Sequence, residues 1–178
     1  MAEAGKEPFQ RTPDSSRLAR MIRRLETQRI ALEWAAAEIS GLPGPVIELG
    51  LGKGRTYDHL RLLMPEREIL VFDKLLHAPK DCIPPEADFF LGDFLETAGQ
   101  ARERIGEGAV LAHADIGSDD REKDARRVAA MAPVLDRLLR PGALVLSDRE
   151  MHVARWQRVD VPNMPSNWVY YAWRVVGA

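Results

Sequence analysis

The stretch Val46-Ile47-Glu48-Leu49-Gly50-Leu51-Gly52-Lys53-Gly54 decides how the rest of the chain can be interpreted. A short apolar run with one acid leads into three glycines at every second position, and a predicted helix begins after them. Glycine lets a backbone turn and approach where a Cβ would block it, and a helix N-terminus presents free N–H groups. The stretch therefore predicts a strand, a tight turn and a helix start that lie close to a small cofactor.

The glycine spacing separates this turn from two phosphate-binding motifs. The dinucleotide fingerprint G-x-G-x-x-G, begun at Gly50, needs a third glycine where Arg55 stands. The G-x-x-x-x-G-K-[ST] motif is also absent, because Lys53 is followed by Gly54. Glu48 lies two residues before the first glycine, where its charge would repel a pyrophosphate and attract an ammonium group. The turn therefore favours a cofactor with an amino group over a dinucleotide.

Short apolar strands alternate with helices beyond the turn. The predicted strands cover 46–49, 68–72, 88–91, 109–113 and 143–147, and the predicted helices cover 57–64, 95–105 and 119–139. Pro133 falls inside the last helix and should kink or divide it. Two more strands, over 155–161 and 168–176, follow without a helix between them, so they should pair antiparallel or lie apart. The pattern predicts an α/β fold with a Rossmann-like doubly wound sheet of about seven strands, mostly parallel with an antiparallel C-terminal edge pair.

Two segments precede this sheet. Residues 1–13 are polar and interrupted by prolines, which predicts a flexible arm. Residues 14–42 carry a helical apolar stripe, and the alanines around Trp34 suggest a bend or a division. Its other faces carry Arg17, Arg20, Arg23, Arg24 and Arg29. These arginines are expected either to be solvated or to contact a substrate anion, and residues 45–178 complete a single domain over 14–178 as its cofactor-binding core.

The overall composition limits the class of protein. The chain has 178 residues, of which 46% are hydrophobic, enough for one sizeable core. A formal net charge of −2 gives no excess that would select a nucleic acid or a membrane. A single cysteine, Cys82, precludes an internal disulfide, and no apolar run approaches the ~18 residues that span a bilayer. We therefore expect a cytoplasmic protein without a nucleic-acid or membrane partner.

The run from Glu48 to Gly54 resembles motif I of the class I S-adenosylmethionine-dependent methyltransferases. Later motifs fall in that family's order: Asp73 follows the second strand, 19 residues past Gly54 (73 − 54), and Gly92-Asp93-Phe94 follows the third. His113-Ala114-Asp115-Ile116-Gly117 closes the fourth strand, near the family's methyl-transfer centre. The resemblance covers about residues 45–176. It implies S-adenosyl-L-methionine as the cofactor and methyl transfer as the activity.

The resemblance also assigns groups of the cofactor to residues of the chain. The glycines would pass along the amino-acid part, the helix start would offer N–H groups to the carboxylate, and Glu48 would hold the amino group or the turn. Asp73 would accept both ribose hydroxyls, Asp93 would accept from the adenine amino group, and Phe94, Leu75 or Leu76 would cover the ring. The expected cofactor-binding residues are Glu48, Gly50, Gly52, Gly54, Arg55, Thr56, Asp73, Gly92, Asp93 and Phe94.

His113 and Asp115 are the predicted catalytic residues. Methyl transfer from a sulfonium is a direct displacement, so alignment of the reacting groups does most of the work. A hydroxyl nucleophile would also need a base, and both side chains follow the fourth strand on the side where doubly wound sheets bind ligands. A structural role, as a packed histidine or a capping acid, stays open for each. His152 and Asp148, after the fifth strand, are second candidates.

No metal is predicted. Asp115 and Asp148 could match two acids of the catechol-type O-methyltransferases, but Arg149 stands where an asparagine is expected and would repel a cation. The chain has no insertion large enough for a substrate domain, so the substrate should be bounded by the N-terminal helix, the loop after the fifth strand and the loop 162–167, or by a neighbouring subunit. The expected acceptor is a small molecule, methylated at O or N. The alternative functions are a cofactor-binding sensor without methyl transfer and, less readily, an NAD-dependent oxidoreductase. A homo-oligomer through the N-terminal helix or the C-terminal strands is a further expectation.

Overall fold

The computed structural model describes residues 12–165 and 168–177. Its seven strands are β1 (Val46–Leu49), β2 (Ile69–Asp73), β3 (Phe89–Leu91), β4 (Ala109–Ala114), β5 (Leu139–Ser147), β6 (Trp156–Arg158) and β7 (Tyr171–Val175). Its α-helices are α1 (Arg17–Glu38), α2 (Arg55–Leu63), α3 (Phe94–Ile105) and α4 (Arg121–Asp136). Short 3-10 turns cover Pro13–Ser15, Lys80–Cys82 and Glu86–Asp88.

All seven strands join one sheet in the order β3-β2-β1-β4-β5-β7-β6. The pairs β1–β2, β1–β4, β2–β3 and β4–β5 are parallel, whereas β7 runs antiparallel to both β5 and β6. The predicted doubly wound sheet with its antiparallel C-terminal pair is therefore confirmed. The order reverses between β1 and β4, and folds of this kind bind ligands at the carboxyl ends of the strands beside such a point.

Helices cover both faces of the sheet. On one face α1 and α2 bury Leu32 and Leu60 against β1, β2, β4 and β5. On the other face α3 and α4 bury Ala98 and Leu135 against the opposite side chains of the same strands. All four residues of β1 are buried, as expected for a central parallel strand that is covered on both sides. The sheet core thus holds the strand ends in fixed positions.

Neither of the two helices that were predicted to bend, kink or divide is divided. α1 is one helix of 22 residues that runs through Trp34, because alanine is the best helix former and its buried positions form one stripe. α4 likewise runs through Pro133 and ends at Asp136. A proline so close to a helix end removes only one hydrogen bond and does not divide the helix.

Several strand limits also differ from the predicted ones. β5 begins at Leu139 instead of 143, and its register with β4 shifts between Ala109 and Leu111. β6 and β7 are shorter than the predicted strands, which leaves a longer connection between them. Of the predicted arm, residues 1–11 lie outside the described residues, as do residues 166 and 167 of that connection. Within the described part of the chain, no helix is both long and apolar enough to cross a membrane.

Candidate functional site

The glycine turn lies at the carboxyl end of β1. Gly50, Gly52 and Gly54 have φ values of +92°, +50° and +75°, which side chains other than glycine rarely adopt. A Cβ on Gly50 would lie 3.3 Å from the carbonyl oxygen of Asp115, whereas nothing lies within 4 Å of one on Gly52. Gly54 caps α2 without a side chain, so no side chain at the cap position takes up the first amides of that helix. The turn therefore offers open space at Gly52, and the start of α2 offers N–H groups that no side chain at the cap position takes up.

Asp73, at the end of β2, is held against this turn. Its Oδ2 accepts a hydrogen bond from the Gly52 amide at 2.8 Å, and its Oδ1 accepts one from the Leu75 amide at 3.1 Å. The two amides fix the direction of the carboxylate. A carboxylate oxygen has room for a second hydrogen bond, so Asp73 can still accept from a diol beside the turn.

Asp93 caps α3 and forms an ion pair. Its carboxylate accepts from the Leu95 amide at 3.0 Å and lies 2.5 Å from Lys74 Nζ. The hydrogen bond from Lys74, followed by the one from Leu95, lowers the pKa of Asp93. The acid is therefore ionised at neutral pH and available as an acceptor at the predicted adenine end.

The Phe94 side chain does not line this end of the site. It is 5% exposed and packs edge-on against Phe72, with ring centroids 5.1 Å apart. Phe94 starts α3 with its ring directed into the core, so the predicted ring-covering role does not fit it. Leu75 and Leu76, which are 59% and 44% exposed, lie in the connection after β2 and remain available for that role.

A chain of buried hydrogen bonds connects four side chains on the α1–α2 face of the sheet. Thr56 Oγ1 donates to Glu48 Oε1 at 2.5 Å, and Glu48 Oε2 lies 2.6 Å from His113 Nδ1. His113 Nε2 lies 2.6 Å from the hydroxyl of Tyr170. Glu48 and His113 are both 0% exposed. We name these four side chains the buried relay.

Burial and nearby charges shift the pKa values of two groups of the relay. Burial opposes the imidazolium form of His113, but the nearby carboxylates, Glu48 above all, outweigh burial and raise its pKa. Burial, followed by the charges of the same carboxylates, raises the pKa of Tyr170 well above its usual value, so this hydroxyl stays neutral. His113 lies inside the sheet with both ring nitrogens engaged, and it does not reach solvent as a free base.

Sequence reasoning missed Tyr170. In the sequence, the aromatic residues near the C-terminus fit sheet packing, a substrate wall or a subunit interface, and nothing in their pattern singles out Tyr170. The usable signal was the alternation of side chains: Tyr170 and Ala172 lie on the same face of the sheet as Glu48 and His113. That signal could be used only once the strand order was known, since β7 neighbours β5 and not β6 alone.

Asp115 follows β4 and joins it to α1. Its Oδ2 accepts from Arg24, and its side chain is 14% exposed. Its Oδ1 is buried and has no hydrogen-bond partner within the described part of the chain. Arg24 therefore contacts an acid of the site and is not one of the solvated arginines.

Arg149 occupies the space beside the acids that follow β4 and β5. Its guanidinium lies 2.8 Å from Asp124 and 3.0 Å from Asp148, and it donates to the carbonyl of Ser118. Burial, followed by the charge of Asp115, raises the pKa of Asp148, which Arg149 partly offsets. Within 12–165 and 168–177, no group of three His, Cys, Asp or Glu side chains is arranged to hold a metal ion.

A cavity of about 870 Å³ opens at the carboxyl ends of β4 and β5. Its walls come from the start of α4, the segment after β5, the residues before β7 and one arginine of α1. The residues that line it include Arg20, Asp119, Arg121, Val128, Asp148, Arg149, Met151, His152, Trp168, Val169 and Tyr171. Asp148 and His152, the second candidates from the sequence, are thus brought together, whereas neither His113 nor Asp115 is among the lining residues.

A comparison with known proteins gives one family and one close structural relative. Residues 15–175 match a family model described as S-adenosyl-L-methionine methyltransferase. The crystal structure of an S-adenosyl-L-methionine methyl transferase from Silicibacter pomeroyi DSS-3 is 40% identical, covers 90% of this chain and 98% of its own, and has a TM-score of 0.84. No curated protein sequence matches the chain.

More distant structures share the fold alone. The calicheamicin methyltransferase CalS11 is 14% identical over 89% of this chain and 80% of its own, with a TM-score of 0.56. A 16S rRNA (adenine(1408)-N(1))-methyltransferase variant from Catenulisporales acidiphilia is 14% identical over 84% of this chain and 91% of its own, with a TM-score of 0.50.

Proposed function

The chain belongs to this family of S-adenosyl-L-methionine-dependent methyltransferases, and we propose that it methylates a small molecule bound in the cavity beside β4 and β5. Membership in the family sets aside the cofactor sensor and the NAD-dependent oxidoreductase as its function. The observation that carries the proposal is the cavity of about 870 Å³ at the carboxyl ends of β4 and β5, since β4 pairs directly with β1, whose carboxyl end carries the glycine turn. Pockets for small ligands have volumes of roughly 300–1,000 Å³.

The turn at β1 fits the cofactor. Open space above Gly52 and the uncapped amides of α2 suit an amino-acid end with its carboxylate, and Asp73 suits a ribose diol. When bound, S-adenosyl-L-methionine supplies an electrophilic methyl group on its sulfonium. Gly50, Gly52 and Gly54, with Asp73, would hold it at the switch point of the sheet, beside the end of β4.

The cavity supports an acceptor that is both polar and partly apolar. Arg20 and Arg121 bring positive charge to its wall, Asp119 brings negative charge, and Val128 and Met151 supply apolar surface. Trp168 and Tyr171 add aromatic surface, which favours the substrate-wall interpretation for these two residues. The other C-terminal tryptophans, at 156 and 173, are 7% and 5% exposed and pack in the core.

Asp115 is the residue we propose as the base. Arg24 holds one of its carboxylate oxygens, and the other, Oδ1, is buried and has no hydrogen-bond partner among the described residues. Asp115 does not line the cavity, so the acceptor would have to reach Oδ1 from the Asp148 side in order to give it a proton. Displacement at a methyl group requires mainly that the nucleophile is aligned with the breaking C–S bond. A proton acceptor fixed by an arginine at the end of β4 would serve both alignment and proton removal. The predicted role of His113 is proposed as support from within the sheet.

Replacing Asp115 by asparagine should lower kcat about a hundredfold, because it removes the base while keeping the shape of the side chain. The dissociation constant for S-adenosylhomocysteine should change less than about threefold. The measurement is transfer of a labelled methyl group over a panel of small hydroxylated and aminated metabolites, with calorimetry for the product. Glu103→Gln, an exposed change on α3, is the matched control. Tight product binding by the wild type with no turnover on any small acceptor would contradict the proposed function.

We also propose a homo-oligomer formed through α1. Leu18, Met21, Ile22 and Leu25 form a stripe on its first half and are 71%, 44%, 55% and 37% exposed. Two copies could cover these stripes by pairing about a two-fold axis. Light scattering should then give twice the 20.0 kDa chain mass, and Ile22→Glu should return it to the monomer mass. A monomer at every wild-type concentration would exclude the dimer.

We propose in addition a cytoplasmic protein without a nucleic-acid or membrane partner. The single cysteine, Cys82, and the net charge of −2 support this. Retention of ribosomal RNA by the protein at moderate salt would argue against it.

A further inference from the structure

The buried relay runs from the cofactor turn to the wall of the acceptor cavity. We propose that Tyr170 is a positioning residue of the methyl-transfer site, which acts through His113 and Glu48 to couple the cofactor turn to the acceptor wall at Trp168 and Val169. This inference rests on the proposed function only in treating the cavity as the acceptor site. The coupling between the glycine turn and the cavity wall does not depend on which molecule is methylated.

The register of the sheet sets the path of the relay. Glu48 on β1 is paired with His113 on β4, which in turn is paired with Leu146 on β5. Leu146 is paired with Ala172 on β7, and Tyr170 lies two residues before Ala172 on the same face. The long side chain of Tyr170 therefore reaches back past β5 to the imidazole. The relay joins the switch point of the sheet to its antiparallel end.

The two ends of the relay lie in functional segments. Thr56 is the second residue of α2 and follows the glycine turn directly. Tyr170 directly precedes β7 and directly follows Trp168 and Val169, which line the cavity. A shift at either end must be accommodated by the other, because the side chains between them are buried and closely packed.

Two hydrogen bonds of the relay converge on the Glu48 carboxylate, from Thr56 Oγ1–H and from His113 Nδ1–H. With a neutral imidazole, the Tyr170 hydroxyl donates to His113 Nε2, and every donor has an acceptor. With the protonated ring, which the raised pKa of His113 favours, Nε2–H donates to the Tyr170 hydroxyl instead. Loss of one contact leaves an unpaired polar group inside the sheet, so movement at one end is costly unless the whole relay shifts.

The charged groups around the relay belong to the reaction site. The negative charges of Asp115, at the end of β4, and Asp148, after β5, raise the pKa values of His113 and Tyr170. The positive charge of Arg24 on α1 lowers the pKa of Tyr170. The relay therefore lies within electrostatic reach of the acids beside the cavity. Apolar side chains of the same volume would pack equally well, but they would form neither these hydrogen bonds nor these charge interactions.

The test is hydrogen–deuterium exchange of the segment 159–170, measured with and without saturating S-adenosylhomocysteine. In the wild type, the bound product should slow exchange in this segment about tenfold, although the segment belongs to the acceptor side. In Tyr170→Phe, the product should still bind within about threefold of the wild type, and the slowing should fall below about twofold. Absence of slowing in the wild type, or its retention in Tyr170→Phe, would overturn the proposal.

A second set of variants tests the other end of the relay. Thr56 is only partly buried, so Thr56→Val leaves the sheet core intact even if Tyr170→Phe folds poorly. Thr56→Val should lose the slowing at 159–170, and Thr56→Ser should restore it, since serine keeps the hydroxyl. Tyr57→Phe removes a hydroxyl from a tyrosine that is 6% exposed outside the relay and should keep the slowing. Loss of the slowing in Tyr57→Phe, or no rescue by serine, would also refute the coupling. Failure to methylate small acceptors would instead contradict the proposed function and leave this result unchanged.

Discussion

Replacing Gly54 by alanine is expected to weaken binding of S-adenosylhomocysteine at least about a hundredfold and to lower the free energy of unfolding by about 2–4 kcal/mol. Gly54 has φ +75°, and a Cβ there would lie 2.4 Å from the Cβ of Cys82 and 3.4 Å from its Sγ. The Cβ of Cys82 is fixed to its backbone and cannot swing away. Either the glycine turn or the Lys80–Cys82 turn must move, and the glycine turn is the proposed cofactor site. Calorimetry with the product and urea unfolding measure the two effects.

Two further variants separate the causes. Gly99 lies inside α3, and nothing lies within 4 Å of a Cβ placed on it, so Gly99→Ala should stabilise the helix by about 0.5–1 kcal/mol and leave binding unchanged. Adding Cys82→Gly to Gly54→Ala removes the clash and keeps the backbone strain, so it should recover part of the lost affinity. Wild-type affinity in Gly54→Ala alone would show that the turn is not where the cofactor binds.

Replacing Glu48 by glutamine is expected to lower the free energy of unfolding by about 3 kcal/mol, because it breaks a fully buried pair and leaves His113 without its acid. For a domain of this size, that corresponds to a fall in Tm of roughly 6–12 °C. The amide keeps the volume of the side chain, so the loss is electrostatic and not a cavity. Glu33→Gln, at a side chain that is 41% exposed and paired on the surface, should change Tm by less than about 2 °C.

The loss of stability caused by Glu48→Gln should depend on pH. The pKa of His113 is raised above 6.5 in the folded protein, so its stabilising contribution is fully present below that pH and is lost as pH rises through the folded pKa. Without the Glu48 charge, burial favours the neutral ring, and the unfolded chain takes up the proton first. The difference in Tm should therefore be larger at about pH 5.5 than at about pH 8.5. An equal difference at both values would mean that His113 does not titrate with this partner.

The fold was largely predictable, and its strand limits were less so. Apolar runs that end in Glu48-Leu49, Asp73 and Gly92-Asp93 mark the first three parallel strands. β1 and nearly all of β2 are buried, as strands covered on both faces are, whereas β3 at the edge of the sheet is only partly buried. The continuity of the helices was harder to predict, because α1 continues through the alanines near Trp34 and α4 continues through Pro133. Pairing between distant strands also lies outside local patterns, as the early start of β5 shows.

The candidate site was likewise predictable in part. Motif spacing located the glycines and Asp73 at the turn, because local geometry demands those residues there. It did not indicate that Phe94 faces the core, that Arg24 reaches Asp115, or that Tyr170 contacts His113. Each of these contacts joins residues far apart in sequence or depends on which face of a helix is buried. Their roles in binding and catalysis stay predictions until the variants are measured.

β7 is the last strand in sequence, yet it lies between β5 and β6. In the described sheet β6 has no neighbour except β7, so β6 can join only after β7 has been made. On the ribosome, β1 to β5 can therefore assemble, with the cofactor turn, while the edge of β5 is still open. The side of the cavity that Trp168, Val169 and Tyr171 line is therefore the last to be made, after the strands that position the glycine turn.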